Sequence, residues 1–120
     1  AMYEGKAFDA TLLPQMLDGV PARLGRDTKY GLGVIIRPTQ AGLAYGHSGF
    51  FPGYLTEMMY FPEHKISVAV QVNTSVPQNL GNPLGRILVE SAGMILGKKI
   101  SSLTPTTTQT NKQFVKDLRL

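Results

Sequence analysis

The stretch LAYGHSGFFPGYLTEMMYFPEHKISVAVQVN (43–73) decides the fold. It splits into three apolar runs separated by two short turn signals. In 43–50, Leu43, Tyr45 and His47 alternate with Ala44, Gly46 and Ser48. That period of two is the mark of a strand with two different faces. Phe51-Pro52-Gly53 turns the chain, and 54–61 follows as an aromatic, Met-rich run. The segment 62–65 (PEHK) is a second tight turn, with Pro62 suited to a turn's second position. Then Ile66, Val68, Val70 and Val72 occupy one face of 66–73, and Ser67, Ala69 and Gln71 the other. Runs joined by connections this short pair antiparallel.

Working outward, YGLGVIIR (30–37) reads as the preceding strand, with Tyr30, Leu32, Val34 and Ile36 on one face, and 38–42 (PTQAG) as a turn. On the C-terminal side, 78–97 carries Leu80, Leu84, Ile87, Leu88, Ser91, Met94 and Ile95 on one side of a helix. Ser75 and Gln78 have capping-box spacing, Pro77 lies near the start, and Gly97 stops the helix before Lys98 and Lys99. The small-residue face of 66–73 is expected to lie beneath this helix. Towards the N-terminus, Leu12, Leu13, Met16 and Leu17 have helical spacing. Pro14 confines the regular part to 14–18, with Gly19 as the stop, and 20–29 reads as irregular and exposed. The fold class expected is α+β: a twisted antiparallel sheet of about four strands with a C-terminal helix packed on one face.

With 120 residues, the chain suits one domain able to bury a core. Hydrophobic residues make up 42% and charged residues 17%, which excludes a disordered chain. No apolar run approaches the ~20 residues of a membrane helix, and the start lacks a signal-peptide pattern. Ala1 ahead of Met2 places the natural start at Met2 or within a longer gene. Cysteine is absent, so disulfides and thiolate zinc sites are excluded, and the compartment is left open. The net charge of +4 is spread over Arg23, Arg26, Lys29, Arg37, Lys65, Arg86, Lys98 and Lys99. There is no basic tract and no interleaving with aromatics, so nucleic acid is not the expected partner. Residues 101–113 are polar and low in complexity, a linker or tail, and 114–120 has the makings of one amphipathic turn.

Glycine inside a strand forfeits packing and adds entropy, so Gly46 and Gly49 within four residues ask for a reason. Either the strand twists sharply there, or something approaches its backbone closely, such as a ligand lying along the edge. The order YGLG, hairpin, GHSG, aromatic strand, turn, valine strand ending in Asn73, and helix resembles the C-terminal part of the serine β-lactamase and penicillin-binding-protein superfamily. The closest likeness is to the group of class C β-lactamases, DD-carboxypeptidases and related esterases. That superfamily carries a K-T-G box on an edge strand, written H-T-G or H-S-G in many members of the group. His47-Ser48-Gly49 matches this form, and the resemblance covers about 30–97.

The resemblance implies that a substrate lies antiparallel to this strand: a β-lactam, a D-Ala-terminated peptide or a small ester. His47 then takes the place of the box's cation and orients the proton-transfer network and the substrate's negative or polar end. Ser48 hydrogen-bonds the substrate's carboxylate or carbonyl, and Gly49 leaves room for it. The Phe50 N–H becomes the second oxyanion-hole donor. Phe at 50, where members often have a small residue, keeps that N–H and narrows the cleft. No cofactor or metal is implied, and export to the periplasm or beyond is the family's habit.

The nucleophile box S-x-x-K is missing: no Ser in the chain has Lys three residues on. Y-x-N is missing as well, since Tyr3, Tyr30, Tyr45, Tyr54 and Tyr60 all fail it. The chain therefore reads as the last third of a hydrolase, with 1–99 the C-terminal segment of the domain and 100–120 a tail, inactive alone. The strand at 66–73, which in the family pairs with N-terminal strands, is expected to associate with a second copy or with the missing part. The alternative is an inactive module of the same fold that holds a peptide or partner by strand addition.

Overall fold

The computed structural model describes residues 1–97. Six antiparallel strands form one sheet in chain order: β1 (Val20–Pro21), β2 (Lys29–Tyr30), β3 (Ile35–Thr39), β4 (Gly42–Phe51), β5 (Tyr54–Phe61) and β6 (Ile66–Val72). The four long strands lie where alternation placed them, and two short ones extend the sheet. Both central turns have the chemistry expected of them. Gly53 takes φ 90°, which suits glycine at the third position of a type II turn behind Pro52. The His64 N–H donates to the Phe61 carbonyl at 3.1 Å across Pro62, and Lys65 leaves the turn at φ 54°. The polar tail at 100–120 and its final amphipathic turn lie outside the described residues.

Three expectations about where elements begin and end are corrected. The YGLG run is not one strand. Gly33 sits at φ 68°, and the Gly31 N–H turns back to the Val34 carbonyl at 2.8 Å, so β2 and β3 are separate. Alternation fails there: Leu32 is 71% exposed, while Val34, Ile35 and Ile36 are all buried. Residues 20–29 are not wholly irregular, because β1 and β2 pair across a turn in which Asp27 has φ 53° and Thr28 is buried. The C-terminal helix does not begin at 78. Pro77–Leu80 forms a 3-10 turn, Gly81 takes φ 70°, and α2 runs Leu84–Ile95 behind Pro83. Pro83 lacks an N–H and keeps Asn82 out of the α region, so the 3-10 turn and the helix cannot merge.

Register defines the two faces. Ile35, Gly46, Met59 and Val68 stand in one row across the sheet, and Ile36, Tyr45, Tyr60 and Ser67 in the next row on the other side. Helix α2 covers the first face. Leu88 and Ala92 join Ile35, Ala44, Met59 and Phe61 in the core, and Ile66, Val68 and Val70 pack against it. The valine face of β6 therefore lies under the helix, and the small-residue face of Ser67, Ala69 and Gln71 is exposed, the reverse of the expectation. The branched chains bury more apolar area, and that outweighs the closer approach small residues allow. Met94 and Ile95 stay exposed on α2.

On the opposite face the N-terminal turn closes an aromatic cluster. The Tyr3 ring stacks on Tyr60 and tilts against Tyr45, with centroids 5.6 Å from each. The Tyr60 hydroxyl donates to Glu4 Oε1 at 3.2 Å, and Lys6 pairs with Glu4 Oε2 at 3.2 Å. A short helix, α1 (Leu13–Leu17), follows a 3-10 turn capped by Asp9, which accepts from the Thr11 N–H at 3.0 Å.

Candidate active site

The site follows from where β3 stops. Strand β4 pairs with β5 along 45–51, but with β3 only from Gly42 to Gly46. The left-handed Gly33 starts β3 at Ile35, so from His47 to Phe51 the other edge of β4 has no partner strand among the described residues. Residues 47–51 are exposed along that whole length, and the Phe50 side chain is 70% exposed.

Hairpin geometry gives the direction of the backbone groups on this edge. Thr39↔Gly42 and Phe51↔Tyr54 each close a two-residue loop, the position of a hydrogen-bonded pair. Both hairpins yield the same parity. Even-numbered residues of β4 bond towards β3 and odd-numbered ones towards β5. Beyond Gly46, the N–H and C=O of Ser48 and Phe50 therefore point out from the unpaired edge. Two outward amide donors 6–7 Å apart, about two residues of strand, suit an extended chain or a polarised acyl oxygen.

The four candidate residues are consecutive, so their side chains alternate. His47 and Gly49 belong to the Tyr45 face, and Ser48 and Phe50 to the α2 face. They share the edge of the strand, not one side of the sheet. The His47 ring is held at both nitrogens. Its Nδ1 lies 2.5 Å from the Ser48 carbonyl oxygen, and its Nε2 lies 2.8 Å from the Tyr30 hydroxyl, with the rings edge-on at 5.7 Å. Behind Ser48, its cross-strand partner Glu57 is buried and accepts from Arg37 Nη1 at 3.2 Å.

The two glycines have different reasons. A Cβ at Gly46 would collide with the Met58 carbonyl oxygen and stand 2.8 Å from Met59 Sδ. Gly46 thus serves the close approach of β4 to its own neighbour β5, not that of a ligand. A Cβ at Gly49 would meet only the Thr56 hydroxyl, the movable end of a side chain.

Sequence reasoning missed Tyr30, Arg37 and Glu57. Tyr30 was in view as a motif residue, but its reach to His47 spans seventeen positions. Glu57 had a legible signal, a lone carboxylate at an inward position of an apolar strand. Among the described residues, no three His, Asp or Glu side chains gather as a metal site needs, and no helix is long and apolar enough to cross a membrane.

The family model for Beta-lactamase matches residues 3–90. The chain belongs to the β-lactamase family. The match takes in the whole sheet of this β-lactamase-family chain, the tyrosine cluster from Tyr3 onwards and the first half of α2, further towards the N-terminus than the motifs alone reached. The fold is of the serine-hydrolase type, and the family implies an acyl-enzyme hydrolase for the parent protein. No curated protein matches the chain.

Proposed function

We propose that this chain supplies the substrate-side wall of a serine hydrolase of the class C β-lactamase and DD-carboxypeptidase group. The nucleophilic Ser and its Lys belong to a part of the protein outside this chain, so 1–99 is the C-terminal segment of the catalytic domain and 100–120 a linker or tail. A β-lactam, a D-Ala-terminated peptide or a small ester lies along β4. The Phe50 N–H donates to the oxygen that gains charge as the acyl carbon is attacked, and this charge, absent in the ground state, is what makes the contact catalytic. Ser48 binds the substrate's carboxylate or carbonyl, Gly49 gives it space, and His47 borders the proton-transfer network. The exposed Phe50 ring limits the bulk the cleft accepts. The parent is exported to the periplasm or secreted, and β6 associates with the rest of the protein or with a second copy.

One observation carries this reading: an unpaired edge with the Ser48 and Phe50 amides directed outward, in the matched family. The test is intact-mass measurement after incubation with a labelled penicillin or a fluorophosphonate. The chain alone stays unmodified, and the chain joined to its upstream reading frame gains one adduct. An adduct on the chain alone overturns the assignment. The same edge favours a binding module without chemistry as the second reading, and an upstream frame lacking S-x-x-K and Y-x-N would establish it.

A further inference from the structure

We infer that Tyr30 is the positioning residue of His47: by donating to Nε2 its hydroxyl holds the neutral imidazole against the Ser48 carbonyl, which fixes the hydrogen on Nδ1, so the ring has no free N–H to offer a ligand on the β4 edge. The argument starts at the Ser48 carbonyl, 2.5 Å from Nδ1. A carbonyl oxygen only accepts, so Nδ1 carries the hydrogen. In a neutral imidazole Nε2 is then the acceptor. The Tyr30 hydroxyl, 2.8 Å away, therefore donates to it.

Tyr30 is well placed to impose this. It ends β2 opposite Ile35, and the loop behind it is tied down twice, by the Gly31 N–H to the Val34 carbonyl at 2.8 Å and the Leu32 N–H to the Met16 carbonyl at 3.0 Å. A Cβ on Gly31 would collide with that same Met16 carbonyl, so the loop sits close against α1. The two rings also meet edge-on, at 80°.

The consequence for ligands rests on the proposed function; the tautomer does not. With the one His47 N–H committed to the Ser48 carbonyl, the anionic end of a substrate is met by Ser48 and by the outward amides. His47 acts as a fixed wall, not as a donor to the substrate.

The test is long-range proton–nitrogen NMR of the 15N-labelled chain at pH 8, with His64→Gln used to assign the His47 signals. The expected spectrum is that of a single Nδ1–H tautomer, its two ring-nitrogen shifts widely separated. Tyr30→Phe should bring those shifts towards each other as the tautomers mix, while the amide signals of β4 and β5 stay in place. An Nε2–H tautomer or an averaged ring in the unsubstituted chain overturns the inference, whether or not Tyr30→Phe folds. Ring shifts that ignore Tyr30→Phe overturn it too. Failure of the acylation test leaves these spectra unchanged, so the two readings fail separately.

Discussion

Arg37 Nη1 lies 3.2 Å from Glu57 Oε1, and the pair sits between the sheet and the first turn of α2. A Cβ on Gly85 would stand 3.4 Å from Arg37 Nη1 and 3.6 Å from Glu57 Oε1, ordinary contact distances that place the first turn of α2 directly over the ions. Glu57 is almost fully buried, and Arg37 keeps about a quarter of its side chain in solvent. Among the described residues the buried Arg37 Nε has no hydrogen-bond partner, and Nη1 bonds Glu57.

Breaking such a pair from one side strands a charge, which costs more than the pair itself contributes. Glu57→Ala is expected to lower unfolding free energy by about 3 kcal/mol, at the low end of the range for buried pairs because Arg37 retains some water. Glu57→Gln keeps an acceptor and should lose about half as much. Replacing both partners, Arg37→Met with Glu57→Leu, should recover most of the stability. Urea titration with an unchanged slope reads all three. Recovery absent from the double variant would show that the ions hold the strand by more than charge.

The glycines of β4 should respond very differently to one added methyl group. Gly46→Ala drives a Cβ into the Met58 carbonyl and must separate the backbones of β4 and β5, at about 3 kcal/mol. Gly49→Ala asks only that the Thr56 side chain turn aside, at about 1 kcal/mol or less. Thermal unfolding of the two variants side by side should therefore show a clear gap in midpoint. Equal shifts would mean that β4 and β5 are not as closely apposed as described.

Stability should fall at both ends of the pH range through the N-terminal turn. Lys6, with help from the Tyr60 hydroxyl, holds the Glu4 carboxyl below its ordinary value, and the Thr11 N–H and hydroxyl do the same for Asp9. Lowered acids add stability above the ordinary carboxylate range, about 4, and that contribution is lost as pH drops through their native values. Burial raises the Tyr3 phenol, and burial with the nearby Glu4 charge raises that of Tyr60. Their contribution is whole below the ordinary phenol value of about 10 and disappears as pH climbs through the raised ones. The near-ultraviolet dichroism of the stacked tyrosines should fade at each limit. Glu4→Gln should blunt the acid limb; an unaltered acid limb would remove Glu4 from this account.

The long strands were legible because each turn between them carries residues with a local mechanism: Pro52 and Gly53, then Pro62. The split of YGLG was hidden by a glycine. Gly33 reads as a weak strand residue, whereas its left-handed φ ends the strand. The late start of α2 was written at Pro83, but the helical spacing of Leu80 and Leu84 across it looked continuous. The choice of β6 face was beyond alternation, which says that two faces differ and not which one a helix selects. The tyrosine cluster joins residues 42 and 57 positions apart, beyond the reach of any local pattern. At the site, His47 to Phe50 were readable as a motif. Their edge was exposed by the missing extension of β3, and the orientation of the His47 ring was set by Tyr30, both tertiary effects.

Every strand in the sheet pairs with the one made just before it, and the loops at Gln40–Ala41 and Pro52–Gly53 are as short as hairpins permit. Closing such loops forfeits little chain entropy, so little of the topology must wait for distant segments to meet. The sheet can zip up in the order of synthesis, with α2 docking last over a valine surface already in place. A costlier closure lies elsewhere: Tyr3 reaches Tyr45 and Tyr60 only across 42 and 57 positions of chain.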